Sequence, residues 1–183
     1  MKKFNAKDIL IPTVSLSLIC AVVTLLLAVT NSVTAPKIIE LQAETENKTK
    51  AEVLPAAKEF SESKTVSLNG TDYTYYEGYG DGKTLAGYVF TTVSKGYGGD
   101  MKLICGMDAD GVIEQCKTLS HAETSGLGSK TAEDPYRSQY CKKSAETLGE
   151  VDAITGATIS SNAYKNAIED AFKAYDMVKE AGK

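Results

Sequence analysis

The feature that most restricts the fold of this chain is an apolar segment close to its N-terminus. From Ile9 to Val29 every residue is apolar, small or hydroxylated. About 21 residues at a helical rise of about 1.5 Å each just cross a hydrocarbon core of about 30 Å, so the segment predicts a transmembrane helix. A cleaved signal peptide is the alternative, although the apolar run is longer than the usual core of such peptides and only a weak small-residue site follows it.

The charges that flank this helix predict its orientation. Lys2, Lys3 and Lys7 precede it, whereas the first segment after it is mainly acidic. The positive-inside rule therefore places the N-terminus in the cytoplasm. We expect residues 1–35 to form the cytoplasmic N-terminus and the transmembrane helix, and residues 36–183 to form one extracytoplasmic domain.

The same helix carries small residues at a regular spacing. Ser17, Ala21, Thr24 and Ala28 fall on one helix face. Small side chains let another membrane helix approach closely, which favours a partner in the membrane. Small residues are also common in membrane helices generally, and the sequence favours the two interpretations equally.

Charge and cysteine content exclude several classes of function. The net charge of -4 at pH 7 argues against nucleic-acid binding, which depends on clustered Lys and Arg. The four Cys residues form no CxxC pair, and the chain has one His. We therefore expect neither a nucleic-acid partner nor a zinc or iron–sulfur site.

The exterior segment predicts an α+β fold. A connecting helix is expected within residues 36–60, where Pro55 marks a break. Strand-like runs follow, separated by turn residues such as Asn69-Gly70. They cover residues 65–68, 73–76, 85–93, 101–107 and 112–119. The chain ends in a helix whose apolar stripe should pack on the resulting antiparallel sheet. That stripe consists of Tyr164, Ile168, Ala171, Phe172, Tyr175 and Val178.

Two cysteines are predicted to face each other across this sheet. Asp110 and Gly111 are a two-residue turn signal, and a turn there sets Cys105 directly opposite Cys116. A disulfide is one interpretation of this pair. Two buried thiols are the favoured one, because free Cys is commonly buried.

The segment most informative about chemistry lies just before the last helix. It reads Asp152-Ala153-Ile154-Thr155-Gly156-Ala157-Thr158. In one interpretation it is a turn and a helix cap, with Thr158, Ser160 or Ser161 as the capping residue. In the other it receives a phosphate, because Gly156 and Ala157 keep the backbone open and the N-terminus of the following helix attracts an anion.

This segment resembles the D-x-x-S/T-G-A-T motif of the G subunits of Rnf electron transport complexes and the related C subunits of sodium-translocating NADH:quinone reductases. Asp152, Thr155, Gly156, Ala157 and Thr158 match the motif. The topology is also similar, since that family has an N-terminal transmembrane helix and an exterior domain. The resemblance implies an extracytoplasmic FMN-binding domain with FMN joined covalently, through its phosphate, to Thr158.

A second stretch is similar to the family's H-x-E-T-P-G-L-G loop, which lies near the flavin. It runs from 121 to 128, and Ser125 replaces the usual Pro, which loosens the loop because Pro fixes one backbone angle. The resemblance implies that six residues of this loop contribute to the flavin site. They are His121, Glu123, Thr124, Gly126, Leu127 and Gly128. Apart from the resemblance, a surface loop with an incidental His would be the preferred interpretation. The Gly-rich stretch Lys95–Asp100 is similar to a turn of the family as well.

The resemblance implies an electron-transfer subunit of a membrane-bound ferredoxin:NAD oxidoreductase complex coupled to sodium or proton translocation, with other membrane subunits as partners. No independent catalytic activity is expected. Nothing close in sequence to Thr158 could activate its hydroxyl, so a separate flavin transferase is expected to attach the flavin. The alternatives are a C-type quinone reductase subunit, a stand-alone anchored flavoprotein that reduces an external acceptor, and a flavin-free assembly or adhesion module.

Overall fold

The chain divides into two compact units, Met1–Glu44 and Thr45–Lys183. The computed structural model describes residues 6–68 and 70–181. The boundary expected between residues 35 and 36 falls nine residues earlier than this division, inside a helix.

Three residues used in the predictions, Lys2, Lys3 and Asn69, lie outside the described residues. The predicted orientation rests partly on the first two, and one predicted turn rests on the third.

Helix α1, Ala6–Val53, supplies the whole described part of the first unit. Its large apolar side chains between Ile9 and Val29 are exposed, and the helix is long and apolar enough to cross a membrane. It therefore fits a membrane anchor. The sequence predicted a separate connecting helix after the anchor, but the two are continuous through Pro36. The strong helix formers that follow this proline offset the backbone hydrogen bond that it removes.

The second unit contains an antiparallel sheet of six strands. The strands are β1 (Glu59–Phe60), β2 (Lys64–Leu68), β3 (Thr71–Tyr79), β4 (Leu85–Lys95), β5 (Asp100–Asp108) and β6 (Ile113–Ser120). Their order in the sheet is β1-β3-β4-β5-β6, and β2 also pairs with β3. All five predicted strands are present, while the two-residue strand β1 was not predicted.

The last helix covers one face of this sheet. A short helix, α2 (Asp134–Arg137), precedes the long helix α3 (Thr158–Ala181). The predicted apolar stripe of α3 packs on the sheet as expected, with Tyr164 and Ile168 fully buried and Val178 partly buried. Cys105 and Cys116 lie directly opposite each other on β5 and β6, and both are buried free thiols, as favoured by the sequence.

The opposite face of the sheet packs against the end of α1. Val53 and Leu54 are fully buried in a second apolar cluster with Val89 and Ile104. A Cβ on Gly106 would collide with the Val53 carbonyl oxygen, so the helix end requires glycine at this point of β5. The helix therefore ends in a fixed contact with the sheet of the same unit.

A carboxylate and a lysine extend that contact. The Glu46 carboxylate accepts hydrogen bonds from the Tyr76 hydroxyl (3.2 Å) and from Thr91 (3.3 Å), and it pairs with the Lys102 ammonium at 3.0 Å. The Lys50 ammonium lies 3.5 Å from the centre of the Tyr76 ring. Burial beside Glu46 raises the pKa of Tyr76 to about 12, because the neutral phenol is favoured there.

Candidate functional site

Three chain segments that are distant in sequence meet at one end of α3. The first is the Gly-rich turn between β4 and β5, which the Gly96 N–H closes by donating to the Gly99 carbonyl (2.8 Å). A Cβ on Gly98 would collide with the Ala122 carbonyl, so this turn packs directly on the second segment. Glycine is needed at position 98 for that close approach.

The second segment is the loop after β6, residues 121–128. The His121 imidazole accepts a hydrogen bond at Nδ1 from the Glu123 N–H (3.2 Å), which tightens the start of the loop. Further on, the N–H groups of Leu127 and Ser129 both donate to the Thr124 carbonyl. The loop, which includes Ser125, therefore folds on its own backbone.

The third segment is the predicted acceptor motif and the first turn of α3. The Ala157 N–H donates to the Ile154 carbonyl (2.9 Å), and Gly156 in this turn has a φ of +81°, a conformation that favours glycine. The Ser161 hydroxyl accepts from the Ile154 N–H (3.0 Å). Neither Ser161 nor Ser160 caps the helix, because both side chains bond elsewhere.

Thr158 is the first residue of α3 and is exposed. Its hydroxyl makes no hydrogen bond to any residue of 6–68 or 70–181. The N–H groups of Thr158, Ile159 and Ser160 likewise lack acceptors in that part of the chain, as expected for the first turn of a helix. The motif therefore presents an unengaged hydroxyl beside three unpaired backbone donors and the positive end of a long helix dipole.

The Glu123 carboxylate ties the three segments together. It is buried, with 8% exposure, and its Oε2 accepts a hydrogen bond of 2.5 Å from the Ser160 hydroxyl. Its Oε1 accepts from the Gly98 N–H at 3.2 Å. A Cβ on Gly96 or on Gly128 would collide with this carboxylate, so two glycines leave the space that it fills.

These segments enclose a cavity of about 550 Å³ at the start of α3. A volume of this size is typical of sites for small ligands and cofactors. Tyr97, Leu127 and Ile159 are exposed apolar side chains on its wall, and Glu123 contributes a buried charge. The other lining residues are Thr124, Gly128, Gly156, Ala157, Thr158 and Ser160.

Most of the residues predicted from the sequence meet at this cavity. Seven of the eleven line it, and the remaining four support its walls or lie next to them. His121 bonds to the loop backbone, and Gly126, at a φ of +76°, shapes the turn of the same loop. Asp152 and Thr155 are exposed in the motif turn outside the lining, and the Asp152 N–H donates to the Gln139 side chain (3.3 Å).

Three lining residues were not among the predicted site residues. Ile159 and Ser160 follow Thr158 directly, so helix geometry alone places them on the same first turn. Tyr97 belongs to the Gly-rich stretch noted in the sequence, and its signal was a large aromatic residue between glycines in a tight turn. Its 71% exposure shows that it does not serve the core.

Comparison with known proteins identifies the class of this domain. A family model described as FMN-binding domain matches residues 96–173, a range that contains all three segments of the cavity. The cavity has donors for a phosphate at the start of α3 and apolar surface for a planar ring on its wall. The residues present therefore fit FMN.

Several relatives cover nearly the whole chain. The G subunit of the proton-translocating ferredoxin:NAD(+) oxidoreductase complex of Clostridium ljungdahlii is 30% identical over 87% of both chains. The G subunit of the Na(+)-translocating ferredoxin:NAD(+) oxidoreductase complex of Acetobacterium woodii is 32% identical over 90% of both. The G subunit of the ion-translocating oxidoreductase complex of Methanosarcina acetivorans is 32% identical over 91% of this chain and 94% of that one. The chain belongs to this family of G subunits.

One solved structure has a similar fold. The crystal structure of Shewanella oneidensis NqrC aligns with a TM-score of 0.50, covering 64% of this chain and 66% of that chain. The two sequences are 20% identical, so the likeness concerns the fold alone.

Proposed function

We propose that this chain is the membrane-anchored subunit of an ion-translocating ferredoxin:NAD oxidoreductase complex and carries electrons through an FMN joined to Thr158. The observation that carries the proposal is the exposed, unengaged hydroxyl of Thr158 at the mouth of a cofactor-sized cavity, within a motif typical of this family. An FMN-binding domain and membership among G subunits support an electron-transfer role.

Different groups of the chain would bind the phosphate and the ring of the cofactor. The N–H groups of Thr158, Ile159 and Ser160 and the helix dipole would stabilise phosphate charge beside the ester. The exposed apolar side chains of Tyr97 and Leu127 would exclude water from a planar ring. Bound FMN supplies the capacity to accept and release electrons, and the surrounding residues set how readily it does so.

Attachment of the flavin requires a group that activates the Thr158 hydroxyl. The carboxylate nearest the motif within the cavity is Glu123, and both of its oxygens already accept hydrogen bonds. This arrangement suits a structural role for Glu123, and no other carboxylate and no imidazole lines the cavity among the described residues. We therefore propose that a separate enzyme forms the ester. The resemblance of the acceptor motif to that of the family implies a magnesium-dependent flavin transferase with flavin adenine dinucleotide as the donor. A covalent bond would retain the cofactor independently of binding affinity.

The same proposal gives the chain an orientation. With Lys2, Lys3 and Lys7 in the cytoplasm, the domain that carries Thr158 lies outside it. The small-residue face of α1 would contact other membrane subunits of the complex.

Purification of the full chain in mild detergent from its native host should yield co-eluting membrane subunits. Elution of the chain alone would instead favour a stand-alone flavoprotein.

The attachment site is tested by the replacement Thr158→Val, which keeps the shape of the side chain and removes its hydroxyl. We expect the wild-type chain, produced with the flavin transferase, to give a fluorescent band on a denaturing gel and the variant to give none. Thr124→Val is the matched control, because it removes another hydroxyl from the same cavity, and it should keep the band. A fluorescent Thr158→Val band would refute the assignment.

A further inference from the structure

A second cavity, of about 310 Å³, lies beside β6. Its wall is formed by β6, by α2 and by the short turn 138–141. Two cysteines, Cys116 and Cys141, line this cavity together. None of its lining residues belongs to the cavity at the start of α3.

The two thiols differ in their access to solvent. Cys116 is buried, accepts a hydrogen bond at Sγ from the Tyr164 hydroxyl (3.2 Å) and donates to the Arg137 carbonyl (3.7 Å). Cys141 is only partly buried. A reagent that enters from solvent therefore reaches Cys141 first.

The backbone holds Cys141 beside β6. The residues directly after it pair with the start of that strand, since the Lys142 N–H donates to the Ile113 carbonyl (2.7 Å) and the Ile113 N–H donates to Lys143 (2.9 Å). An ion pair of 2.7 Å between Lys142 and Glu114 reinforces this pairing. The fold therefore keeps Cys141 next to a segment paired with β6, on the wall of the cavity that Cys116 also lines.

A third thiol, Cys105, is the other neighbour of Cys116, across the sheet. It is fully buried between the sheet and α3, so an external oxidant cannot reach it. Within residues 6–68 and 70–181, no group of three or more His, Cys, Asp or Glu side chains is placed to hold a metal ion. Burial raises the pKa of the Cys116 thiol to about 12 and also raises the pKa of Cys141, so their reactive thiolates form mainly in alkaline solution.

We propose that Cys116 and Cys141 form a dithiol site that small-molecule disulfides oxidise to an intramolecular disulfide. The Cys141 thiolate attacks the external disulfide, forms a mixed disulfide and releases one thiol. The Cys116 sulfur then attacks the Cys141 sulfur, which releases the second thiol. The two electrons and both protons leave with the reduced reagent.

The proposed disulfide would close a covalent loop that contains residues 116–141. This segment contains the loop 121–128, which forms one wall of the cavity at the start of α3. A closed loop has less conformational freedom in the unfolded chain, so oxidation should stabilise the fold. The proposal concerns the chain's own thiols and holds whether or not the cavity at α3 carries a flavin.

The test uses the full chain in detergent with Cys20→Ala, so that only the thiols of the second unit react. After incubation with oxidised glutathione in alkaline buffer, where the Cys141 thiolate forms, intact mass should fall by the mass of two hydrogen atoms. Trypsin releases peptide 103–117, which contains both Cys105 and Cys116, and peptide 138–142, which contains Cys141. The proposed disulfide joins these two peptides, whereas a Cys105–Cys116 bond stays within the first.

Variants separate the remaining outcomes. Cys141→Ser, at a partly exposed position that tolerates a polar side chain, should abolish the mass loss, and Cys105→Ala should retain the joined peptides. Reduction should return the urea midpoint of the oxidised chain to its lower starting value. A glutathione adduct that persists on Cys141, a bond within peptide 103–117, or no reaction at all would each overturn the proposal.

Discussion

Glu123 is the residue on which the three walls of the cavity at α3 converge. Replacement by Ala would leave the buried Ser160 hydroxyl without its acceptor and would also remove the acceptor of the Gly98 N–H. Unsatisfied buried donors cost about 1–3 kcal/mol, so we expect Glu123→Ala to lower the free energy of unfolding by that amount in urea titrations.

Two variants sharpen this prediction. Glu123→Gln retains an acceptor oxygen and should lose less stability than Glu123→Ala. Glu62→Ala, which truncates an exposed glutamate, should change stability by less than about 0.5 kcal/mol. Equal losses for Glu62→Ala and Glu123→Ala would contradict the bridging role.

Glu77 makes the stability of the folded protein depend on pH. The hydrogen bond from Lys64 (2.6 Å), followed by one from Tyr79, holds the pKa of the Glu77 carboxyl below its ordinary value of 4.5. The folded state therefore binds this proton less tightly than the unfolded chain does. The contact stabilises the fold above about pH 4.5, and its contribution is lost as the pH falls below that value.

Lys64→Met removes the main donor to Glu77. The fall in the urea midpoint between neutral and acidic pH should therefore be smaller in this variant than in the wild type. Lys58→Met is the matched control, because it breaks an ion pair whose partners, Lys58 and Asp81, are 67% and 85% exposed. Such surface pairs contribute little, so the control should keep the wild-type profile. A profile unchanged by Lys64→Met would refute this account of Glu77.

Individual residues also show what the sequence could and could not predict. The motif identified Thr158, Gly156 and Ala157 because local geometry and family resemblance agree there. It could not show that Glu123 bonds to Ser160, since that contact joins residues 37 positions apart and depends on the packed fold. For the same reason it did not distinguish Glu123, which lines the cavity, from His121, which bonds to the loop backbone and is not among the lining residues.

At the scale of elements, the turn before α3 depends on one glycine. Gly156 has a positive φ, although a Cβ would find open space there apart from Leu127 at 3.8 Å. Gly156→Ala should therefore destabilise the protein through backbone strain alone, by about 1 kcal/mol. Gly149→Ala is the control, because that glycine has open space around it and no positive φ, and its effect should be near zero or slightly stabilising. Similar urea midpoints for the two variants would exclude strain at Gly156.

The elements themselves were largely predictable. The strands could be predicted from alternating apolar and polar residues bounded by turn residues, because successive side chains of a strand point to opposite faces and one face is buried. The continuity of α1 was not predictable from Pro36, which ordinarily ends a helix but here lies within one. The pairing of β1 with the end of β3 was also missed, because two residues carry no periodicity.

At the scale of the molecule, the division after Glu44 predicts that the second unit folds alone. We expect a fragment of residues 45–183 to remain in the supernatant after ultracentrifugation, and the full chain to sediment with membranes. The fragment should also unfold cooperatively in urea, because it contains both apolar clusters. A fragment that still sediments with membranes would reveal a second membrane contact in the second unit.

The exposure of Thr158 also bears on the order of biogenesis. Its side chain stands at the surface of the finished fold, between the buried residues Ala157 and Ser160. A modifying enzyme would thus meet its substrate on a folded domain and would not need to capture a nascent chain. Under the proposed attachment to Thr158, maturation could come last, after insertion and folding, and the chain without flavin would be a stable precursor.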